Sequence, residues 1–192
     1  TKSVRNDLAE LFDLPKTKVR VLTEYMGAGF GAKFGAGNYG VTACWLSKKA
    51  GRPVKLMLDR EEEHTMTGNR PNSYQKLRIG AKQDGTLTAI DQLSYGTAGV
   101  GLGAGVGRIA QDMYDCPNFR TEQYDVFTHA GPGAAFRAPG NVQGAFALEQ
   151  AIDELAEKLD LDPLELRDRI DPSVIRRLER RQGDAKFGWQ RR

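Results

Sequence analysis

The sequence is poor in cysteine and has no long apolar run, and both shortages exclude whole classes of protein. Its two cysteines, Cys44 and Cys116, are too few for an iron–sulfur cluster or a cysteine-rich zinc site. A membrane-spanning helix needs on the order of 18 consecutive apolar residues, and no stretch approaches that length. The N-terminus shows no signal peptide; it lacks Met and begins inside a helical pattern, so a cut fragment is expected.

Glycine, in contrast, is present in excess. The chain has 22 glycines in 192 residues, well above the average of about 7%. They concentrate in residues 27–40, 96–107 and 131–144, which indicates irregular backbone that another group approaches closely. Hydrophobic residues make up 40% of the chain, so a buried core is expected, and the length suits one domain with at most a small appendage.

The net charge of +3 has its origin at the C-terminal end of the chain. Residues 176–192 contain seven basic side chains: Arg176, Arg177, Arg180, Arg181, Lys186, Arg191 and Arg192. Because the rest of the sequence is nearly balanced, this excess favours a solvated face or a subunit contact over a nucleic-acid interface. We therefore expect neither nucleic acid nor a membrane as a partner.

The first third of the chain is predicted to alternate helices and strands. Helices are predicted for residues 4–14 and for residues 38–49, the second capped by Asn38 and ended by Gly51. Alternating apolar and polar residues predict a strand at Lys18–Thr23, and a second strand is predicted at Pro53–Leu58.

Longer strands and a strong helix follow. The turn signal at residues 83–86 predicts a β-hairpin between Tyr74 and Tyr95, and residues 121–128 form another predicted strand. The clearest helix is Val142–Leu159, which carries one apolar stripe. Asp162-Pro163 and Asp171-Pro172 each start a further helix, and Gly183 is predicted to end the last one. The fold class is therefore α/β (mixed α+β), with a mixed sheet that contains long antiparallel strands packed against helices.

The first glycine loop, residues 26–37, permits two interpretations. Gly27-x-Gly29-x-x-Ala32 fits the fingerprint of a dinucleotide-binding loop, and Asp59 could then bind a ribose. The same spacing also occurs in a tight strand-to-helix turn without a ligand. Phe30 between two glycines is unusual for a phosphate site and indicates either a ring held over a pocket or a core aromatic.

The second glycine loop, residues 130–140, carries a single cation. Arg137 lies just before the best-predicted helix, where it could bind a phosphate or an oxyanion with help from the helix N-terminus. A surface arginine on a turn is the alternative.

These segments together resemble a known family. Met26-Gly-Ala-Gly-Phe-Gly-Ala-Lys33 is similar to the Gly-Gly-Gly-Phe-Gly-Gly-Lys motif of the molybdenum-binding subunit in the xanthine dehydrogenase and aldehyde oxidase family. Ala135-Phe-Arg-Ala-Pro-Gly140 with Gln143-Gly is similar to that family's Phe-Arg segment. The helix from Ala147, Leu161-Asp-Pro-Leu-Glu-Leu-Arg and Gly188-Trp189 follow in the order found in the family.

The resemblance implies a function. The chain would be part of a molybdenum hydroxylase that oxidises an aldehyde or an aromatic heterocycle, with water supplying the oxygen. The resemblance places five residues beside the cofactor, with Arg137 and Phe30 also catalytic: Gly29, Phe30, Gly31, Phe136 and Arg137. No residue of this chain is implied as a metal ligand. The expected division of the chain is a partial molybdopterin-binding domain at residues 1–170 and a basic helical tail or connector at residues 171–192.

The implied cofactor is molybdopterin, with or without an added cytosine nucleotide. Iron–sulfur and FAD groups would lie on partner domains or subunits, and the second cofactor-binding domain of the same parent chain would close the pocket around a small-molecule substrate. The expected location is cytoplasmic, or periplasmic if a partner subunit carries the signal for export.

Two departures from the family pattern bear on the substrate. Ala28 and Ala32 replace glycines, and their methyl groups could change how closely the loop is approached. Phe34 stands where purine-oxidising members tend to carry Glu, and an apolar ring cannot hydrogen-bond a purine. An aldehyde or aromatic substrate is therefore expected.

In the family, a Gln upstream of these residues and a catalytic Glu downstream complete the site. The chain is consequently expected to be inactive alone. Two other classes stay open: a nicotinamide dehydrogenase, which requires a parallel sheet with residues 38–51 as its first crossover, and a non-catalytic structural domain that binds no molybdopterin.

Overall fold

The computed structural model describes residues 1–31, 33–101, 103 and 105–189. The chain forms two compact units. The first contains Thr1–Pro71, Ala98–Leu102 and Phe127–Pro139, and the second contains Asn72–Thr97, Gly103–Val126 and Gly140–Arg192. The expected α/β class with a mixed sheet is confirmed.

The first unit is helical. It contains α1 (Lys2–Leu11), a short 3₁₀ turn (Lys16–Lys18), α2 (Gly37–Ala50) and α3 (Arg60–Met66). Phe12 packs against Trp45 of α2 with ring centroids 4.9 Å apart, which holds the end of α1 against α2. Gly51 ends α2 in the left-handed conformation, as predicted, with φ of 61°. The predicted cap Asn38 lies inside α2, which begins instead after Ala36.

The two strands predicted in this unit are not formed. Residues 19–24 and 53–59 have no strand assignment, and the sheet found in the described part of the chain contains only three strands, all from the second unit. A strand requires a neighbouring backbone to complete its hydrogen bonds, and alternation of Val19 and Val21 does not supply one. Asp59 caps α3 instead, in a reciprocal pair with Glu62.

The second unit is built on the sheet. It contains β1 (Asn72–Ala81), β2 (Leu87–Thr97), α4 (Arg108–Met113), β3 (Phe119–Val126), α5 (Asn141–Lys158), α6 (Pro163–Ile170) and α7 (Val174–Phe187). β1 and β2 form the predicted antiparallel hairpin, and β3 pairs parallel to β2, so the order is β1-β2-β3. Gly85 supplies the positive φ of the hairpin turn, at 88°.

The apolar stripe of α5 forms the centre of the core. Leu148 and Ile152 are fully buried, and they join Leu87 and Ile90 of β2 and Leu166 of α6 in one cluster. A methyl group at Gly144 would lie 2.2 Å from the carbonyl oxygen of Val106, so only glycine permits this close approach to α5.

The last two helices are attached by partly buried ion pairs. Arg167 of α6 is paired with Glu149 and Asp153 of α5 at 2.7 and 2.6 Å. Burial and a 2.6 Å hydrogen bond that Tyr114 donates to Glu149 raise the pKa of Tyr114 above its ordinary value. The buried carboxylate of Asp171 accepts hydrogen bonds from Arg176 and Arg180.

Several of the basic C-terminal side chains therefore bind acidic residues of the second unit itself. Three of the seven bind Asp171: Arg176 and Arg180 pair with its carboxylate, and Arg177 donates to its carbonyl. Arg191 and Arg192 lie outside the described residues. Gly183 lies inside α7, which ends at Gly188 with φ of 74°. A glycine in a helix costs only about 1 kcal/mol, which is too little to end α7 at this position. The proposed division at residue 170 stays a prediction. Over the described residues, no helix has the length and apolar character needed to cross a membrane.

Candidate functional site

The first glycine loop holds a phenylalanine in an unusual backbone conformation. Phe30 has a φ of 50° and Gly31 a φ of 97°, both in the region that favours glycine. Lys33 closes the loop by donating a 2.6 Å hydrogen bond from Nζ to the carbonyl of Ala28. The Phe30 side chain is 53% exposed, so this conformation presents the ring to the outside instead of burying it in a core.

The Phe-Arg loop, which we define as residues 134–140, has a similar character. Ala138 and Gly140 have φ values of 52° and 78°. Phe136 is 46% exposed and Arg137 is exposed as well. The loop therefore displays an aromatic ring and a guanidinium group side by side.

The structure brings these two loops into direct contact within the first unit. The rings of Phe30 and Phe136 lie 5.8 Å apart between centroids, tilted by 46°. The backbone N–H of Arg137 donates a 2.6 Å hydrogen bond to the carbonyl of Phe30. Residues more than one hundred positions apart thus form one surface, which we call the Phe–Arg site: Gly29, Phe30, Gly31, Phe136 and Arg137. Their roles in binding and catalysis stay predictions.

A further arginine belongs to this arrangement and was not singled out by the sequence analysis. Arg70 donates from Nη2 to the carbonyls of Phe136 and Arg137, at 2.9 and 2.7 Å. Its guanidinium carbon lies 4.8 Å from the centre of the Phe136 ring. A lone arginine in Gly-Asn-Arg-Pro carries no motif, and its contacts lie more than sixty residues away, so only the fold could reveal it.

The glycines of the first loop are not equivalent. A methyl group at Gly31 would meet the carbonyl of Ala135 at 3.5 Å, which is ordinary contact, but its φ would strain any other residue. At Gly29, an added methyl group would touch only the side chain of Lys33, at 3.6 Å. Glycine is thus required at Gly31 for its conformation. Two alanines replace glycines of the family motif in this loop. The carbonyl of Ala28 accepts the hydrogen bond from Lys33, and Ala32 lies outside the described residues.

Phe34 lies beside the first loop. Its side chain is 70% exposed, and its Cε2 atom is 3.6 Å from the position of a methyl group added to Gly31. Ser3 of α1 donates its hydroxyl to the carbonyl of Phe34, which fixes the backbone at this point. The ring of Phe34 therefore lies next to the Phe–Arg site and is not buried.

The chemistry of the Phe–Arg site fits a flat, anionic cofactor such as molybdopterin. Two exposed rings can contact an apolar or aromatic group. Among the residues that the structure describes, no hydrogen bond or ion pair engages the Arg137 guanidinium, whose donors suit a phosphate or an oxyanion. The donor set and the exposed rings thus agree with the group that the resemblance implies.

The dinucleotide interpretation of the first loop is wrong on structural grounds. That motif needs a strand before the loop and a helix that crosses over to a parallel strand. Residues 19–26 form no strand, α2 joins no two strands of the described chain, and Asp59 is engaged as the cap of α3.

Comparison with known proteins identifies the family of the chain. The family model for the molybdopterin cofactor-binding domain matches residues 1–170. The aldehyde oxidoreductase molybdenum-binding subunit of Escherichia coli O157:H7 is 38% identical over 201 residues, which cover 98% of this chain and 28% of that subunit. A probable xanthine dehydrogenase subunit of Bacillus subtilis is 37% identical, with 85% of this chain and 23% of that protein covered.

A solved structure shows the same fold. Quinoline 2-oxidoreductase from Pseudomonas putida 86 superimposes with a TM-score of 0.79 at 27% identity, covering 89% of this chain and 23% of that one. The chain therefore spans about a quarter of the length of the relatives it matches. With a family match over most of its residues, the chain belongs to the molybdopterin cofactor-binding domain family, that of the molybdenum-binding subunits of aldehyde oxidoreductases and xanthine dehydrogenases.

Proposed function

We propose that this chain supplies one side of the cofactor and substrate pocket in a molybdenum hydroxylase that oxidises an aldehyde or an aromatic heterocycle. The observation that carries the proposal is the contact of two distant loops that together display two phenyl rings and an exposed guanidinium. When bound, molybdopterin would hold the metal that accepts two electrons as oxygen from water is transferred to the substrate carbon.

The residues of this chain would bind and orient. The rings of Phe30 and Phe136 would line the pocket and keep water from the substrate. The guanidinium of Arg137 would stabilise negative charge on an oxygen of the substrate or on the cofactor. Gly29 and Gly31 would let the backbone of the first loop approach the cofactor closely.

The remaining groups of the enzyme would lie outside these 192 residues. We propose that a second cofactor-binding domain of the same parent chain closes the pocket and provides the general base. Electrons would leave through iron–sulfur and FAD groups on partner domains or subunits, because two cysteines are too few to bind a cluster here. The cytosine dinucleotide form of the pterin and a cytoplasmic location belong to the same proposal.

The proposal is tested by molybdenum content. We expect the isolated 192-residue chain to bind no molybdenum and to have no hydroxylase activity, because half a pocket offers too few contacts to offset the entropy lost on association. Elemental analysis should find molybdenum in the complete parent enzyme and none in the purified chain.

The two possible failures of this test differ in meaning. Stoichiometric molybdenum in the isolated chain would show that one side of the pocket suffices. A complete, active parent enzyme without molybdenum would instead favour the non-catalytic structural class for this domain.

A second expected result concerns the substrate and rests on Phe34. Beside the Phe–Arg site, this exposed ring offers a face and an edge but no acceptor for a purine N–H. Apolar walls discriminate weakly among flat or aliphatic carbonyl compounds, whereas sites with polar partners discriminate strongly. The parent enzyme should therefore oxidise benzaldehyde with a larger kcat/KM than hypoxanthine.

The matched variant for this experiment is Phe34→Glu. It should lower kcat/KM for benzaldehyde relative to hypoxanthine, since it introduces the acceptor that a purine needs. A larger kcat/KM for hypoxanthine in the unmodified enzyme would contradict the role of Phe34 but leave the molybdenum assignment intact.

A further inference from the structure

The Phe-Arg loop is held in an exposed, left-handed conformation that its own sequence does not favour. Ala138 has a φ of 52°, and the loop lies at the surface of the first unit with Phe136 and Arg137 both exposed. Such a conformation costs on the order of 1–3 kcal/mol and persists only where neighbouring groups enforce it. The contacts that hold the loop come from Phe30 and from residues 68–71.

This segment runs alongside the Phe-Arg loop and delivers one side chain to it. Asn69 forms a parallel bridge with Gly133 and accepts a 2.9 Å hydrogen bond from the N–H of Ala134. Gly68 permits the close approach, because a methyl group there would lie 2.6 Å from the Cβ atom of Ala134. These contacts fix the position of Asn69 beside Ala134. The next residue, Arg70, therefore reaches Phe136 and Arg137, which lie two and three residues after Ala134 in the loop.

Arg70 then binds both of the residues that carry the proposed chemistry. Its Nη2 atom donates to the carbonyls of Phe136 and Arg137, and its guanidinium group contacts the Phe136 ring. The N–H of Arg137 is bonded to Phe30, so both backbone polar groups of Arg137 are held. The main chain of Arg137 is thus fixed while its side chain stays exposed.

We propose that Arg70 is a positioning residue, which sets the Phe136 ring and the Arg137 guanidinium at the distance and angle that the reaction requires. The proposal rests on the function proposed above for the Phe–Arg site. An arginine is needed because its planar group can stack on a ring and donate several hydrogen bonds at once. A lysine keeps the charge but offers no planar group to do both.

The test uses the complete, molybdenum-replete parent enzyme with Arg70→Lys. We expect kcat to fall about ten-fold while KM changes less than about two-fold and molybdenum content stays full, since a displaced guanidinium lowers transition-state stabilisation more than binding. Hydrogen exchange at the amides of Ala134 and Arg137 should become at least several-fold faster. Arg60→Lys, at an exposed arginine on α3, is the matched control and should change neither kcat nor the exchange of these two amides.

A double variant separates positioning from general stabilisation. If Arg70 acts through Arg137, then Arg70→Lys should lower kcat much less in an Arg137→Ala background than alone. Should Arg70→Lys fail to fold, Arg70→Gln retains an amide donor and serves in its place. Unchanged amide exchange, or fully additive losses in kcat, would overturn the proposal. An Arg137→Ala enzyme with normal kinetics would instead overturn the proposed function of the site.

Discussion

Replacement of Arg137 by Ala is expected to lower the turnover of the complete enzyme about one hundred-fold while its molybdenum content stays full. The Arg137 side chain is exposed, and no partner for it is found in the part of the chain that the structure describes, so its donors are available to an anion. Removing a donor that stabilises developing negative charge costs about 2–4 kcal/mol in the transition state. That loss corresponds to roughly a hundred-fold in rate.

Two comparisons make this result specific. Arg60→Ala removes an exposed arginine that is paired with Glu63 on α3, and it should leave turnover unchanged. Arg137→Lys keeps a positive charge without the planar donors, and its turnover should lie between those of Arg60→Ala and Arg137→Ala. Full molybdenum content together with unchanged kcat and KM in Arg137→Ala would end the assignment of this residue.

The members of the Phe–Arg site could be predicted from the sequence, but not the way they are held together. Phe30 and Arg137 stand in motifs that carry the family resemblance, and the glycines around them indicate unusual backbone. The hydrogen bond from Arg137 to Phe30 joins two separate loops, which no local pattern records. Arg70 could not be found for the same reason, because its partners are distant and its neighbours are ordinary.

The helices and strands could likewise be predicted only in part from the sequence. The hairpin could be predicted from its turn signal at residues 83–86, and α5 because its apolar periodicity is repeated over many residues and matches one buried face. Strands are predicted at residues 18–23 and 53–58, yet a strand also needs a partner, and partners are set by the whole fold. Short helices such as α3 and α4 carry too few turns for a periodic signal.

Replacement of Asp171 by Ala is expected to destabilise the second unit strongly. The carboxylate is almost fully buried and accepts hydrogen bonds from Arg176 Nε at 2.9 Å, Arg180 Nη1 at 2.6 Å and the N–H of Ser173 at 2.8 Å. Removing it leaves two arginines of α7 without their shared partner. The loss of one member of a buried ionic network costs about 3–5 kcal/mol in the free energy of unfolding.

Urea unfolding of the chain should measure this loss, followed by the fluorescence of Trp189, with Trp45→Phe in every variant to remove the other tryptophan. Trp189 is a suitable reporter because its Nε1 donates a 2.9 Å hydrogen bond to Asp162 at the start of α6. Asp112→Ala is the matched control. It removes an exposed partner of Arg108 one helical turn away, and it should change the free energy of unfolding by no more than about 0.5 kcal/mol.

The same ionic network predicts a pH dependence. Burial disfavours the charged form of Asp171, but hydrogen bonds from Arg176 and Arg180 outweigh it and hold the pKa of this carboxyl well below its ordinary value. A lowered folded-state pKa stabilises the fold fully above the unfolded value of about 3.9, and the contribution is lost as the pH falls below it. The difference in unfolding free energy between the parent chain and Asp171→Ala should therefore be constant near neutral pH and shrink below about pH 4. A difference that grows on acidification, or an effect no larger than that of Asp112→Ala, would show that Asp171 does not anchor α7.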